Sequence, residues 1–149
     1  SGFCPLAPGT AGSIAAIPFV WWFASAGPVP LLMFALFTLL TGVYVSGYIM
    51  KDRGAQDPQI VVIDEVCGMA ISLLLIPSAE MAAINLKSSL IILVSFSSFR
   101  LFDIWKPWPA SYFDGKMHNE WGMMLDDVAA GIYSMVVTFA FYRLYDMIF

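Results

Sequence analysis

Apolar residues run along this chain in long blocks, with polar positions gathered where the blocks begin and end. Val29 to Met50 is a charge-free run of 22 residues. At a rise of about 1.5 Å per residue it matches a hydrocarbon core of about 30 Å and predicts a membrane-spanning helix. Four further blocks are shorter or interrupted: Ile14 to Ala26 with Pro18 inside it, Ile60 to Ile76 with two acids near its start, Leu86 to Phe102, and Val128 to about Phe149. Together they predict an all-α, polytopic membrane bundle of about five helices. No repeat and no Gly/Ser-rich linker divides the chain, so residues 1–149 read as one membrane-embedded domain.

Composition agrees with the pattern: 60% of residues are hydrophobic, 12% are charged, and mean hydropathy is +0.79. A soluble core built from 149 residues is too small to hide this many apolar segments. The net charge of −4 says little about partners, because several acids responsible for it belong to the candidate site below. No nucleic-acid partner is expected. The opening Ser1-Gly2-Phe3-Cys4-Pro5 has neither the basic region nor the cleavage pattern of a signal peptide, and without an initiator Met it implies a further upstream segment. Cys4 and Cys67 show no CxxC spacing and read as free thiols.

Basic residues alternate in density between connections. Lys51, Arg53, Arg100, Lys106 and Lys116 lie in two of them, whereas Gly27-Pro28-Val29-Pro30 carries none and Pro77 to Ser89 only Lys87. The basic side is expected to be cytoplasmic. If five helices cross in succession, the starts of the first, third and fifth and the end of the fourth meet on that side. Each of those ends carries a distinctive motif: Pro8-Gly9-Thr10-Ala11-Gly12-Ser13, Asp64-Glu65, Arg100 with Asp103, and Asp126-Asp127. A single polar site at the cytoplasmic interface follows from topology.

Simpler roles compete at every position. A carboxylate at a helix start can cap free N–H groups, Arg100 and Asp103 at three-residue spacing can form a local ion pair, and Pro8 to Ser13 can be a turn with an N-cap. Adjacent acids favour a site over capping, since one cap suffices and like charges repel. Gly68 follows Asp64 by four positions and Gly131 follows Asp127 by four, so each glycine shares its acid's helical face and permits close helix approach. Carboxylates near hydrocarbon need a counter-charge, and an oxygen-rich donor set suits Mg²⁺ with a bound phosphate. Lys106-Pro107-Trp108-Pro109 also reads as an interfacial anchor, and His118 as a solvated loop residue.

Four strings resemble the motifs of the phosphatidylglycerophosphatase A family, in that family's order: Pro8 to Ser13, Asp64-Glu65-x-x-Gly68, Phe99-Arg100-Leu101-Phe102-Asp103-Ile104-Trp105-Lys106-Pro107-Trp108-Pro109, and Asp126-Asp127-x-x-Ala130-Gly131. The resemblance implies a bacterial inner-membrane, Mg²⁺-dependent enzyme that hydrolyses phosphatidylglycerophosphate to phosphatidylglycerol and inorganic phosphate, upstream of cardiolipin. It implies Asp64, Glu65, Asp103 and Asp127 as metal ligands, with Asp126 a ligand or an acceptor behind them. Arg100 and Lys106 would grip the phosphate, helped by Thr10, Ser13 and the backbone near Gly9 and Gly12. Asp126 or Asp127 would serve as general base toward water. A membrane phosphoalcohol transferase is the nearest alternative, but its Asp-x-x-Asp-Gly-x-x-Ala-Arg signature is missing. An ion or proton carrier would place acids near mid-membrane rather than at helix ends.

Overall fold

The computed structural model describes residues 8–53, 60–116 and 120–149. They form seven helices: α1 (Pro8–Ala26), α2 (Pro28–Arg53), α3 (Ile60–Ser72), α4 (Ser78–Ala82), α5 (Leu86–Trp105), α6 (Ala110–Lys116) and α7 (Glu120–Ile148). The five expected helices are α1, α2, α3, α5 and α7; the other two are short pieces within connections. No strand occurs among the described residues, and the molecule is a membrane helical bundle.

Three helices are long and apolar enough to cross a bilayer: Pro28–Tyr48, Leu86–Trp105 and Met124–Ile148. On α2, Met33, Phe37, Leu40, Tyr44 and Tyr48 form an outward apolar stripe at helical spacing. Such a stripe is ordinary against lipid. α3 departs from expectation, because the regular helix stops at Ser72 and Leu73 to Ile76 continue in tighter i→i−3 bonds such as Leu74 N–H to the Ile71 carbonyl at 3.1 Å. Its 13 residues rise only about 20 Å. A short helix serves here because α3 is the centre of the bundle: Cys67, Gly68, Met69 and Ala70 are all buried, and α1, α2, α5 and α7 pack around it.

Local chemistry sets the boundaries that matter for the site. α5 begins with a capping box in which Asn85 Oδ1 accepts the Ser88 N–H at 2.9 Å and Ser88 Oγ accepts the Asn85 N–H at 3.1 Å. It ends at Lys106, whose left-handed backbone (φ 49°) turns its N–H back to the Phe102 carbonyl at 2.8 Å. Pro107 follows, and a proline cannot continue the helical bonding.

Two glycines bring α3 and α7 together. A Cβ on Gly131 would lie 2.7 Å from the Gly68 carbonyl oxygen, and one on Gly68 would strike the Phe99 ring. Serines knit the same three helices: Ser72 and Ser95 hydrogen-bond each other, Ser98 and Ser134 do so at 2.8 Å, and Ser134 reaches the Ser95 carbonyl at 3.0 Å. Hydroxyl contacts of this kind hold apolar helices where the hydrophobic effect cannot. The opposite end of α5 is tied down by Lys87, which pairs with Asp146 at 2.5 Å and Glu80 at 2.9 Å.

Candidate active site at the acid cluster

The glycine contact sits one helical turn from each acidic pair, so it sets Asp64 and Glu65 of α3 beside Asp126 and Asp127 of α7. Asp126 and Asp127 are the seventh and eighth residues of α7, which begins at Glu120 rather than near Val128. Asp64 is the fifth residue of α3. None of the three occupies a first turn, so the helix-capping role is excluded for them. All four acids are buried, with relative exposures of 2% to 7%.

Asp103 reaches the cluster from the end of α5. One carboxylate oxygen from each of Asp103, Asp126 and Asp127 lies within 4.8 Å of the others. The side chains of Asp103 and Asp127 are within hydrogen-bonding reach, and Asp64 lies within electrostatic range of both. Arg100 bridges two elements, donating from Nη1 to Glu65 Oε1 at 2.8 Å and to Asp103 Oδ2 at 2.9 Å. Lys106 Nζ donates to Asp126 Oδ2 at 2.6 Å. The local Arg100–Asp103 pair therefore exists, but as half of a bridge that also ties α5 to α3.

The structure brings together part of the ligand set implied by the resemblance. Asp103 and Asp127 converge as expected, Asp126 joins them, and Glu65 turns to Arg100. Asp64 Oδ1 accepts the Glu65 N–H at 3.0 Å. Arg100 and Lys106, expected to grip a phosphate, rest on carboxylates in this state, and a substrate anion would compete for them. Periodicity had no means of showing that Glu65 and Arg100, 35 positions apart, would pair.

Gly9, Thr10, Gly12 and Ser13 fall within the first two turns of α1, so this segment is helix from Pro8 onward and not a turn. The side chains of Thr10 and Ser13 lie outside the described residues. His118 and Cys4 lie outside the described residues. Cys67 is a buried free thiol whose S–H donates to the Ala35 carbonyl at 3.4 Å, which suits packing rather than nucleophilic chemistry.

Five carboxylates face two cations here, and burial makes the excess of negative charge costly. Three hard oxygen donors at close range fit a divalent cation of the Mg²⁺ class, which prefers carboxylate and water oxygens. With Arg100 and Lys106 at the rim, the arrangement can bind an anion beside a cation at the end of an apolar bundle.

Comparison with known proteins identifies the family. Residues 1–147 match the profile of the family described as Phosphatidylglycerophosphatase A. A protein of that name from Escherichia coli strain K12 is 37% identical over 137 residues, covering 90% of this chain and 73% of the relative. One from Haemophilus influenzae is 40% identical over 141 residues, covering 94% and 82%. A Bacteroides thetaiotaomicron protein, named provisionally as a phosphatidylinositol-3-phosphatase, is 35% identical over 147 residues, covering 92% and 84%. No solved structure matches the chain. With the acids of three of its motifs gathered in one cluster and the family profile matched along nearly its whole length, this chain belongs to the phosphatidylglycerophosphatase A family.

Proposed function

We propose that this protein hydrolyses the phosphate monoester of phosphatidylglycerophosphate, releasing phosphatidylglycerol and inorganic phosphate, in a bacterial inner membrane. The observation that carries the proposal is the convergence of Asp103, Asp126 and Asp127 with Arg100 and Lys106 at one end of the bundle. The two closely related bacterial proteins named for this activity support the choice of substrate. The excess of basic residues around this end supports a cytoplasmic site.

Asp103, Asp126 and Asp127 would hold Mg²⁺, with Asp64 behind them. Bound there, Mg²⁺ supplies charge neutralisation for the phosphate and polarisation of its P–O bonds. The chain's own groups do the rest. Arg100 turns part of its planar donor set from Asp103 to two phosphate oxygens, while Glu65 keeps the guanidinium oriented. Lys106 shifts between Asp126 and the phosphate, and its charge matters most as negative charge builds in the transition state. Asp126 or Asp127 accepts a proton from the attacking water as its oxygen bonds to phosphorus; the P–O bond to the glycerol headgroup breaks, and the same carboxyl returns the proton to the leaving oxygen, which departs as a hydroxyl.

The direct test is phosphate release from phosphatidylglycerophosphate by the purified protein in detergent, with Mg²⁺ and after chelation. Metal-dependent release is expected. No release from a folded sample would turn attention to transfer or transport chemistry, and release indifferent to chelation would remove the metal from the mechanism.

A further inference from the structure

An apolar groove of about 340 Å³ opens beside the acid cluster, lined by Pro109, Leu125, Val128, Ala129, Ile132 and Tyr133. Five of these residues form one stripe on α7 at spacings of three and four, immediately next to the stripe that carries Asp126 and Asp127. The groove therefore starts at the level of the carboxylates and follows α7 for about 12 Å into the part of the helix long and apolar enough to cross the bilayer.

Its other wall is the segment that also supplies Lys106. Tyr133 holds that wall in place, since its hydroxyl donates to the Trp108 carbonyl and its ring packs 5.3 Å from the Phe102 ring. The Ala110 N–H bonds to the Pro107 carbonyl at 2.8 Å and closes the turn. One short segment thus places a cation against Asp126 at the head and an apolar wall along the tail.

Resting on the phosphatase reading above, we propose that this groove seats an acyl chain of the lipid substrate, so that the diacylglycerol end is fixed while the phosphate lies among the acids. The driving force is not transfer from water, because the chain is already in hydrocarbon. What a concave wall adds is van der Waals fit and orientation of the reacting end.

The test uses the full chain in detergent. A phosphatidylglycerophosphate carrying a photoreactive group on one acyl chain should label the α7 peptide containing Val128 to Ile132, with excess unlabelled substrate competing and phosphatidylcholine not. Ile132→Trp, at a position 46% exposed and so tolerant of bulk, should reduce that labelling. The same variant should lower kcat/KM for a dipalmitoyl substrate about tenfold while leaving a dihexanoyl substrate within about twofold. Val128→Phe should act in the same direction, and the short-chain rate reports that the site is intact. Even labelling across lipid-facing helices, or equal loss for both chain lengths, overturns the groove. Labelling confined to α7 in a protein that releases no phosphate supports the groove and instead removes the hydrolytic reading.

Discussion

Gly131 stands against the backbone of Gly68, close enough that a Cβ would fall 2.7 Å from the Gly68 carbonyl oxygen and 3.1 Å from its Cα. The obstacle is main chain, which cannot rotate away. Gly131→Ala must therefore push α3 from α7, with an expected loss of about 1–3 kcal/mol and a steep fall in activity as the acids separate. Gly68→Ala meets the Phe99 ring first, with the Asp127 carbonyl oxygen behind it at 3.1 Å. A smaller partner, Phe99→Leu, should recover part of the stability lost in Gly68→Ala and none of that lost in Gly131→Ala. Thermal unfolding of the four variants in detergent reads this out; equal rescue of both would show the crossing to be looser than described.

Asp127→Asn keeps the size of a buried carboxylate while removing its charge. Folding is expected to persist, because the change lowers repulsion within the acid cluster. Activity should fall by at least about a hundredfold, on the scale of lost metal-site or transition-state stabilisation, and higher Mg²⁺ should restore only part of it. Turnover near normal would remove Asp127 from the site.

Arg100 joins Glu65 to Asp103, so its geometry matters as well as its charge. Arg100→Lys should cost about tenfold or more in kcat/KM, the scale of one charge-assisted hydrogen bond of about 1.5–3 kcal/mol. Glu65→Gln should weaken the same function through orientation, and the double variant should lose less than the two single losses added together. Strict additivity in the kinetic cycle would mean that Glu65 and Arg100 act separately.

Lys106 combines two requirements, a left-handed backbone at φ 49° and an ammonium group on Asp126. Lys106→Gly relieves the first and loses the second, whereas Lys106→Ala loses the second and keeps the steric cost. Glycine should leave the protein more stable than alanine by about 1 kcal/mol, with activity low in both. Unfolding midpoints separate the two effects, and an alanine variant as stable as the glycine variant would show that the backbone there relaxes freely.

What the sequence by itself determined was the cost structure of the chain. Runs such as Val29 to Met50 have nowhere to go but lipid or a helical core, and acids such as Asp64 and Asp127 are too costly beside them to be incidental. The four-residue spacing of Asp64 with Gly68 and of Asp127 with Gly131 already placed each acid on a close-packing face, because helical periodicity is a property of the local backbone. Only the tertiary structure decided which charges meet. Whether Glu65 turns to a cation site or to Arg100, and whether Asp126 belongs with Asp103, depends on the depth and rotation of three helices relative to one another. Those are fixed by contacts such as Gly68 against Gly131 and Ser98 against Ser134, between residues tens of positions apart. The short length of α3 was hidden for the same reason: hydropathy records that a segment avoids water, not whether lipid or protein covers it.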